Sequence, residues 1–379
     1  MIPVATTVAH AARGADASPP AGTRVGGIDP GRRRARRRAA PIVAVGMAAM
    51  LAACTSTATS APTTAGSGGA ASGGALTQLK VGLGYIPSVQ FAQFYLADQA
   101  GYYRAAGLQV TFENKVDPDL VVLVGQGALD LGIADGTSVI PAVSQDIPIR
   151  YLATIYATFP NIVFAKASSG IATAADLKGR KIGTPGKYGS GWIQLQALLA
   201  SAKLTTSDVQ VVPFPDFGQA AAVASGTVDA ATGYSNNEPI QLQQQGVATT
   251  VVTGLAVTPL PGPGLIASNA TLSAKRATIK AFIDATLHAM RDIVADPTKG
   301  LDATLARVPD LATSRDVQLD VLKATVAAWQ SDYTKAHGLG AVDPQTWKDS
   351  ITFMQGLPDK LLQKPVTVDQ LISTDLVGG

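Results

Sequence analysis

The first group of side chains suited to binding a small molecule follows an apolar run that ends at Tyr85. Pro87 and Ser88 come next, and Gln90 and Phe91 follow within one helical turn. Proline favours the first turn of a helix and serine favours its N-cap, so this spacing predicts a strand followed by a helix. Free N–H groups at a helix N-terminus also suit a ligand acceptor. We expect the tyrosine, serine, glutamine and phenylalanine to face a ligand, with core packing as the alternative for the phenylalanine.

A second group, Asp135, Thr137 and Ser138, follows another apolar run. Either hydroxyl suits the capping of a following helix, which would account for at least one of them without any ligand. We expect both hydroxyls to line the ligand side of the turn. We also expect Asp135 to leave the capping to them and to accept a hydrogen bond from a ring N–H of the ligand.

A glycine-rich turn at residues 183–192 carries Tyr188, Gly189, Ser190 and Trp192. The phosphate-binding pattern of Gly, four residues and Gly-Lys-Ser/Thr is absent, so we expect the glycines to let backbone amides approach a solute closely. Tyr188 and Trp192 lie four residues apart, which predicts one shared helix face and an aromatic wall beside the ligand. A structural role for Trp192 between helices is the alternative.

A further turn, at residues 233–239, offers polar tips on Tyr234 and Asn236 and a charge on Glu238. Among all these positions Asp135 and Glu238 are the acidic groups, and Lys187 is the only cation. Sites for sulfonate, nitrate and phosphate usually need a guanidinium or several strong donors. A neutral, flat, nitrogen-rich heterocycle fits better, because aromatic faces stack on such a ring while polar groups contact its edge.

Residues for catalysis or metal binding are scarce. Cys54 is the only cysteine, and of the three histidines His10 is in the N-terminal segment while His288 and His337 are in the C-terminal third. These residues cannot assemble a His/Cys metal site, and no Gly-x-Ser-x-Gly nucleophile elbow occurs where a strand meets a helix. The sequence therefore predicts a binding protein with no catalytic residues, no metal and no cofactor.

The elements that position these groups alternate from residue 79 onward between short apolar runs and helical patterns, which is typical of βαβ units and mostly parallel sheets. Strands are predicted at 79–85, 108–113, 129–134, 149–156, 162–165, 181–184, 209–212, 228–232, 247–252 and 265–267. Helices predicted between them include 90–100, 119–126, 189–202 and 217–225. The last third is predicted to be helical, at 273–295, 315–337 and 344–355, with one buried apolar stripe in the first of these.

So many strands exceed one compact sheet, and the predicted fold class is α/β with two lobes and a helical C-terminal part. The chain is expected to cross between the lobes near 159–164 and again near 260–267, where a Pro-Leu-Pro-Gly-Pro-Gly run breaks regular structure. Residues 79–160 and 262–379 would then form one lobe, and 165–255 the other.

Two adjacent crossings would form a hinge, and a cleft between hinged lobes is where ligands bind. Phe159 and Asn161 lie at the first crossing. We expect both side chains to cover the ligand from the hinge side.

The N-terminal segment has the pattern of a secretory signal, because residues 32–38 read Arg-Arg-Arg-Ala-Arg-Arg-Arg and the next fifteen residues carry no charge. The run ends in Leu-Ala-Ala before Cys54, which resembles the lipobox of bacterial lipoproteins, and only Thr, Ser, Ala, Pro and Gly follow up to residue 75. That composition is typical of a flexible tether. We expect a signal peptide at 1–53, a lipidated Cys54, a linker at 54–78 and a protein anchored by lipid to the extracytoplasmic face of the cell membrane. A buried core cysteine and a single-span anchor are the alternatives, although the apolar run is short for a span.

The composition excludes other classes. A hydrophobic content of 46% supports a packed core. Residues 1–53 hold eight arginines and two aspartates, so the remainder carries 22 basic and 25 acidic groups despite the net charge of +3. A mildly acidic body argues against a nucleic-acid partner.

Several stretches together carry a family resemblance. Residues 84–97 read Gly-Tyr-Ile-Pro-Ser-Val-Gln-Phe-Ala-Gln-Phe-Tyr-Leu-Ala, and 125–132 read Gly-Gln-Gly-Ala-Leu-Asp-Leu-Gly. Residues 176–183 read Asp-Leu-Lys-Gly-Arg-Lys-Ile-Gly, and Gly-Thr-Val-Asp-Ala at 226–230 leads to Asn-Glu-Pro at 237–239. Over about residues 79–330 the chain resembles ABC-importer solute-binding proteins of the family that holds binders of the thiamine pyrimidine precursor and of riboflavin. Tyr-Ile-Pro-Ser-Val-Gln-Phe is closest to the riboflavin branch.

The resemblance implies a periplasmic-binding-protein fold of type 2, in which two lobes close on the ligand like a flytrap. It implies a small planar vitamin or precursor as solute, an ABC permease in the membrane as partner, and a monomer. It also implies that Tyr234, Asn236 and Glu238 face the ligand.

Three other functions remain open at this point. A sister branch of the fold binds anions such as alkanesulfonates, nitrate or aromatic acids, and would need a cation in the cleft, for which Arg150, Lys166 and Lys115 are the candidates. Some relatives are enzymes that build the thiamine pyrimidine with a cysteine-rich iron motif, but no cysteine follows Cys54. A surface lipoprotein whose aromatic groove binds a partner protein is the third.

Overall fold

The structure is a computed structural model that describes residues 75–115, 117–254, 258–357 and 359–378. The predicted signal peptide at 1–53, the predicted lipidation at Cys54 and the predicted linker up to residue 74 lie outside the described residues. The first strand begins at Thr77, so the last two residues of the predicted linker belong to a sheet.

Within the described residues the chain forms ten strands in two five-stranded sheets. The strands, numbered β1 to β10 in chain order, are Thr77–Leu83, Leu108–Asn114, Leu131–Ala134, Ile149–Thr154, Asn161–Lys166, Lys181–Thr184, Gln210–Pro213, Ala230–Tyr234, Thr249–Thr253 and Gly264–Ser268. The first sheet has the order β2-β1-β3-β10-β4 and the second has the order β7-β6-β8-β5-β9. All ten predicted strands are present, with bounds that differ by at most two residues.

Each sheet contains one reversed strand. β10 runs antiparallel to β3 and β4, and β5 runs antiparallel to β8 and β9. The pairs β1–β2, β1–β3, β6–β7 and β6–β8 are parallel. β5 and β10 are the strands by which the chain enters a sheet after crossing between the lobes, so they start at the edge where the other strands end. The predicted parallel arrangement therefore holds for the other four strands of each sheet.

Thirteen α-helices surround the sheets within the described residues. Numbered α1 to α13, they are Ala92–Gln99, Tyr102–Ala105, Asp117–Gly125, Gly136–Ser144, Gly189–Ser201, Gln219–Ser225, Glu238–Gln244, Asn269–Ala295, Pro297–Arg307, Arg315–Ala328, Asp332–His337, Pro344–Gln355 and Val368–Leu371. Short 3-10 helices occur at Val89–Phe91, Ala167–Ser169, Ala174–Leu177, Thr206–Asp208 and Pro309–Ser314.

Both faces of each sheet are buried, because successive strand residues enter different apolar clusters. In β10, Leu265 packs in the cluster that contains Phe282 of α8, whereas Ile266 packs in the cluster that contains Trp347 of α12. The second sheet has separate clusters on its two faces in the same way. Because both faces of each sheet are covered, polar side chains that bind a ligand are expected at the carboxyl ends of the parallel strands.

The C-terminal third is helical as predicted, and the apolar stripe of α8 is buried at Ile279, Phe282, Ile283, Leu287, Met290 and Ile293. The single helix predicted at 315–337 is wrong, since α10 ends at Ala328 and α11 begins at Asp332. Ser331 interrupts the helix by accepting a hydrogen bond from the Thr334 N–H in a capping box, an N-cap signal that the apolar periodicity hides. Among the described helices, none combines the length and the apolar character needed to cross a membrane.

Candidate functional site

A partly enclosed cavity of about 150 Å³ lies where the two sheets face each other across the ends of their parallel strands. Its walls come from both lobes, through the residues that follow β1, β3, β6 and β8. Ten of the sixteen residues predicted to bind a ligand line it, and they are Tyr85, Gln90, Phe91, Asp135, Asn161, Tyr188, Gly189, Ser190, Tyr234 and Glu238. The remaining six are Ser88, Thr137, Ser138, Phe159, Trp192 and Asn236, and they do not line the cavity.

The wall that follows β1 is set by a short 3-10 helix. Ser88 caps this helix, because its Oγ accepts a hydrogen bond from the Gln90 N–H at 3.3 Å, and Pro87 stands before the cap rather than in the first turn. Gln90 and Phe91 are buried and line the cavity, and Phe91 also belongs to the core of the first lobe. The two roles considered for the phenylalanine are therefore compatible.

Tyr85 spans the cleft. Its ring meets Phe217 of the second lobe edge-on, with ring centroids 4.8 Å apart. Burial and the nearby Glu238 carboxylate raise the pKa of the Tyr85 hydroxyl, and a hydrogen bond with Asn237 opposes the rise. Phe217, Asn237 and Glu238 all belong to the second lobe, so this tyrosine connects the two walls.

Asp135 has a different role from the predicted one, because it caps α4. Its Oδ1 accepts hydrogen bonds from the Thr137 N–H at 2.9 Å and the Thr137 hydroxyl at 2.6 Å. The helix begins at Gly136, directly after β3, so only Asp135 occupies the N-cap position. Thr137 and Ser138 already lie in the first turn, which corrects the expectation that their hydroxyls would cap the helix or line the cavity.

Asp135 still borders the cavity, although the residue is only 2% exposed. Burial raises its pKa, while hydrogen bonds from Thr137 and from the Ser190 hydroxyl act in the opposite direction. Ser190 belongs to the second lobe, so a polar contact between the lobes accompanies the aromatic one.

The two aromatic residues of the glycine-rich turn before α5 lie in different environments. Tyr188 occupies the N-cap position with extended backbone, lines the cavity and is 40% exposed, whereas Trp192 lies in the apolar core of the second lobe. The predicted aromatic wall is therefore wrong, because Tyr188 precedes the helix and shares no face with Trp192. Gly189 has a φ of +66°, which only glycine adopts without strain, and it brings Ser190 to the cavity.

The turn between β8 and α7 holds Glu238 at the start of the helix. Its Oε2 accepts a hydrogen bond from the Tyr234 N–H at 2.7 Å, and its Oε1 accepts one from Asn237 Nδ2 at 3.1 Å. Burial raises the pKa of Glu238 despite these bonds. The carboxylate is thus fixed by backbone and amide donors, and it faces the cavity without a cationic partner among the described residues.

Asn236 lies beneath the cavity in a buried polar network that joins the lobes. Its Nδ2 donates to Thr325 Oγ1 at 2.7 Å and to Gln90 Oε1 at 3.3 Å, and it lies 3.5 Å from the Tyr156 hydroxyl. Tyr156 in turn donates to Gln90 Oε1 at 3.4 Å. Asn236 does not line the cavity, contrary to the expectation from the sequence, and the adjacent Asn237 takes the lining position.

Phe159 also departs from its predicted role. It is 4% exposed and belongs to the apolar cluster of the first lobe that includes Ile193 and Leu260. Ile193 comes from α5 of the second lobe, so this cluster forms part of the packing behind the cleft. Phe159 supports the crossing from behind, while Asn161 lines the cavity.

Several lining residues are absent from the sequence-based set, notably Tyr156, Phe217, Gln219, Thr232 and Asn237. Tyr156 follows β4 and Asn237 follows β8, so the rule that strand ends face the cleft would have identified both. Phe217 has a left-handed backbone with a φ of 59°, and its sequence gives no signal of that turn. Thr232 lies inside a strand, where the pattern does not distinguish a cavity residue from a core residue.

The cavity is poor in positive charge. No lysine, arginine or histidine lines it in the part of the chain that the structure describes. Lys187 is not a lining residue and lies 5.9 Å from the centre of the Trp192 ring. Arg150 instead donates to the carbonyl oxygens of Asp369 and Ile372.

The other two candidate cations, Lys166 and Lys115, are not lining residues either. No group of three His, Cys, Asp or Glu side chains suited to a metal ion occurs within the described ranges. The arrangement offers aromatic faces, two carboxylates and several amides and hydroxyls, which suit a ligand that donates hydrogen bonds.

Comparisons with known proteins fit this architecture. A family model described as NMT1/THI5 like matches residues 88–300. The riboflavin-binding protein RibY of Chloroflexus aurantiacus is 33% identical over 308 residues, which are 80% of this chain and 87% of that protein. The formylaminopyrimidine-binding protein of Halalkalibacterium halodurans is 24% identical over 311 residues, or 79% of this chain and 91% of that protein.

Among solved structures, the alkanesulfonate-binding protein SsuA from Xanthomonas axonopodis pv. citri, bound to MOPS, aligns with a TM-score of 0.61 and 20% identity. The alignment covers 78% of this chain and 98% of that one, and it confirms the predicted two-lobe fold of periplasmic binding proteins. The matched family model spans more than half of the chain, and a relative with one-third identity covers most of it. The chain belongs to the NMT1/THI5-like family.

Proposed function

We propose that this protein is the extracytoplasmic solute-binding component of an ABC importer for a small, planar, uncharged nitrogen heterocycle, either riboflavin or a thiamine pyrimidine precursor. The observation that carries this proposal is a cavity lined by aromatic rings and two carboxylates, with no cation among the described lining residues. A buried carboxylate needs a hydrogen-bond donor, and an N–H of a ring or an amino group supplies one without adding charge. The names of the two relatives above support the same class of ligand.

Ligand capture follows from contacts on both walls. Tyr85 and Asp135 belong to the first lobe, and Phe217, Ser190 and Glu238 belong to the second. A ligand that touches both walls binds the closed form better than the open form, and that difference in affinity drives closure. We propose that residues 79–160 with 262–379 move as one lobe and residues 165–255 as the other.

We further propose that the protein is a monomer held at the outer face of the membrane by a lipid on Cys54, after removal of residues 1–53, with 54–78 as a flexible tether. The closed form would then present its surface to the permease subunit. Replacing Cys54→Ser tests the anchor, because the wild type should fractionate with membranes and the variant should be released.

The three alternative functions have different requirements. An anion-binding protein of the same fold needs a cation, which the described cavity residues do not supply. The iron-dependent synthesis of a pyrimidine needs cysteines, and Cys54 is the only one in the chain. A groove that binds a protein partner would give no saturable response to any small molecule.

The proposal is tested by titrating the tryptophan fluorescence of the purified protein with riboflavin, with formylaminopyrimidine and with taurine. We expect saturable binding of one of the two heterocycles and none of taurine. Saturation with taurine alone would contradict the proposal in favour of an anion site, and no response to any of the three would contradict a small-molecule role of this kind.

A matched pair of variants connects the binding signal to the cavity. Glu238→Gln removes one of the two cavity carboxylates and should weaken binding of the heterocycle about tenfold, which corresponds to the loss of one charge-assisted hydrogen bond. Glu113→Gln makes the same chemical change in strand β2, away from the cavity, and should leave the affinity within about twofold.

A further inference from the structure

The floor of the cavity contains two buried polar atoms whose hydrogen-bonding capacity is unused. Asn161 Oδ1 and Thr232 Oγ1 have no hydrogen-bond partner among the described residues, and the two residues are only 2% and 1% exposed. Both residues line the cavity. Buried polar groups in folded proteins nearly always form a hydrogen bond. Two buried polar atoms that form none and border a cavity therefore point to a partner that the protein chain does not supply.

The two side chains lie on one face of the second sheet. β5 and β8 are antiparallel, with Asn161 opposite Tyr234 and Val163 opposite Thr232. Residues two apart on a strand share a face, so Asn161 and Thr232 are diagonal neighbours on the same side.

Gly191 of α5 packs closely against these two side chains. A Cβ atom at this position would lie 3.1 Å from Thr232 Oγ1 and 3.9 Å from Asn161 Nδ2. A side chain at this position would crowd the Thr232 hydroxyl, so glycine spares that oxygen a contact from α5.

A chain of hydrogen bonds from the opposite lobe fixes which atom of the Asn161 amide is free. Asn161 Nδ2 lies 3.0 Å from Ser190 Oγ, and the Ser190 hydroxyl also bonds to the Asp135 carboxylate. The single proton of the serine hydroxyl goes to the carboxylate, so its oxygen must accept from the amide nitrogen. Asn161 Oδ1 is thereby left as an acceptor toward the cavity.

We propose that Asn161 Oδ1 and the Thr232 hydroxyl form a subsite that binds a ring edge on which an N–H donor stands beside an acceptor. The asparagine oxygen accepts from the ligand N–H, and the threonine hydroxyl donates to the adjacent carbonyl oxygen or ring nitrogen. This inference rests on the proposed function and deepens it. Riboflavin offers such an edge in its imide, and an aminopyrimidine offers one in its amino group and ring nitrogen.

The subsite also connects lobe closure with recognition. Asp135 belongs to the first lobe and Ser190 with Asn161 to the second, so the relay is complete only when the lobes meet. Without the Asp135 carboxylate the Ser190 hydroxyl could donate to Asn161 Oδ1 instead, so the orientation of the amide depends on the contact between the lobes. Ligand specificity at this edge is therefore a property of the closed form.

Two substitutions at Thr232 test the subsite. Thr232→Val keeps the branched shape and removes the hydroxyl, whereas Thr232→Ser keeps the hydroxyl. Dissociation constants are measured by fluorescence titration for riboflavin and for formylaminopyrimidine, and the urea midpoint of each ligand-free variant is measured alongside. We expect the valine variant to bind the preferred heterocycle about tenfold more weakly, within a range of about fivefold to a hundredfold, and the serine variant to bind within about threefold of wild type.

The stability of the ligand-free valine variant separates a binding role from a structural one. A hydroxyl without a partner in the protein adds no stability, so the urea midpoint of Thr232→Val should equal or exceed that of wild type. A lower midpoint would show that the hydroxyl has a structural partner, and unchanged affinity would show that it does not contact the ligand. Either result overturns the subsite. Failure of the wild type to bind either heterocycle would instead overturn the proposed function.

Discussion

The buried network under the cavity gives a quantitative prediction for Asn236→Leu. The substitution keeps the approximate volume of the side chain but removes the donor to Thr325 Oγ1 at 2.7 Å and the longer contacts to Gln90 and Tyr156. The acceptors are not left wholly unpaired, because Thr325 still donates to the Val321 carbonyl at 2.8 Å and Gln90 still accepts from Tyr156 at 3.4 Å. Asn236 Oδ1 has no partner among the described residues, so losing it carries no penalty.

One good hydrogen bond and two weak ones are therefore lost without creating an isolated buried charge. We expect the free energy of unfolding to fall by about 1–2 kcal/mol, well below the ~3–5 kcal/mol that follows when a buried ion pair is broken. The value is measured by urea unfolding followed by circular dichroism at neutral pH. The slope of the transition should stay constant, because the surface exposed on unfolding is the same.

Asn269→Leu is the matched control, since Asn269 is exposed and its side chain accepts only from Arg150 Nε, at 3.2 Å, among the contacts of the described residues. Its free energy of unfolding should stay within about 0.5 kcal/mol of wild type. If Asn236→Leu were as mild as this control, the network would not contribute to the junction between the lobes, and the reasoning from buried contacts would be refuted.

Two further predictions concern charge and backbone packing. Burial raises the pKa of Asp135 in the folded protein above its usual 3.8, so folding favours the protonated carboxyl group. This contribution to the free energy of unfolding is fully present below that pH. It is lost as the pH rises through the pKa of the folded state. Asp135→Asn keeps the helix cap but cannot ionise. The difference in unfolding free energy, variant minus wild type, should therefore rise between about pH 4 and about pH 7 when it is measured by urea titration. A difference that stays flat or falls would contradict the buried charge. Gly264→Ala would place a Cβ 2.4 Å from the Ala153 carbonyl oxygen and 2.1 Å from the Tyr151 hydroxyl. The midpoint of thermal unfolding should therefore drop by an amount equivalent to about 1–3 kcal/mol. An unchanged midpoint would refute this close packing.

Much of the architecture is readable from the sequence because short-range patterns determine it. The strand positions follow from apolar runs bounded by turn residues, and the stripe on α8 follows from helical spacing. The ends of parallel strands face the cleft in any sheet of this type, which is why Tyr85, Asp135 and Glu238 are found at the cavity.

The errors arise where the role of a residue depends on the position of one helix end. Asp135 caps α4 because the helix starts one residue later, and Tyr188 separates from Trp192 because α5 starts after the tyrosine. A shift of one residue in a helix start decides which side chain reaches the cavity, and sequence patterns do not define helix ends that finely. Thr232 and Phe159 depend on tertiary packing, which no local pattern encodes.

A comparison of riboflavin with its phosphate ester, flavin mononucleotide, tests the central claim most directly. The phosphate adds negative charge, and the cavity offers no cation among its described lining residues to replace the lost hydration. Calorimetric titration of the same preparation with both ligands should give a dissociation constant at least about tenfold larger for the phosphate ester. Equal or tighter binding of the ester would require a cation at the cleft, and would contradict a site built for an uncharged ring.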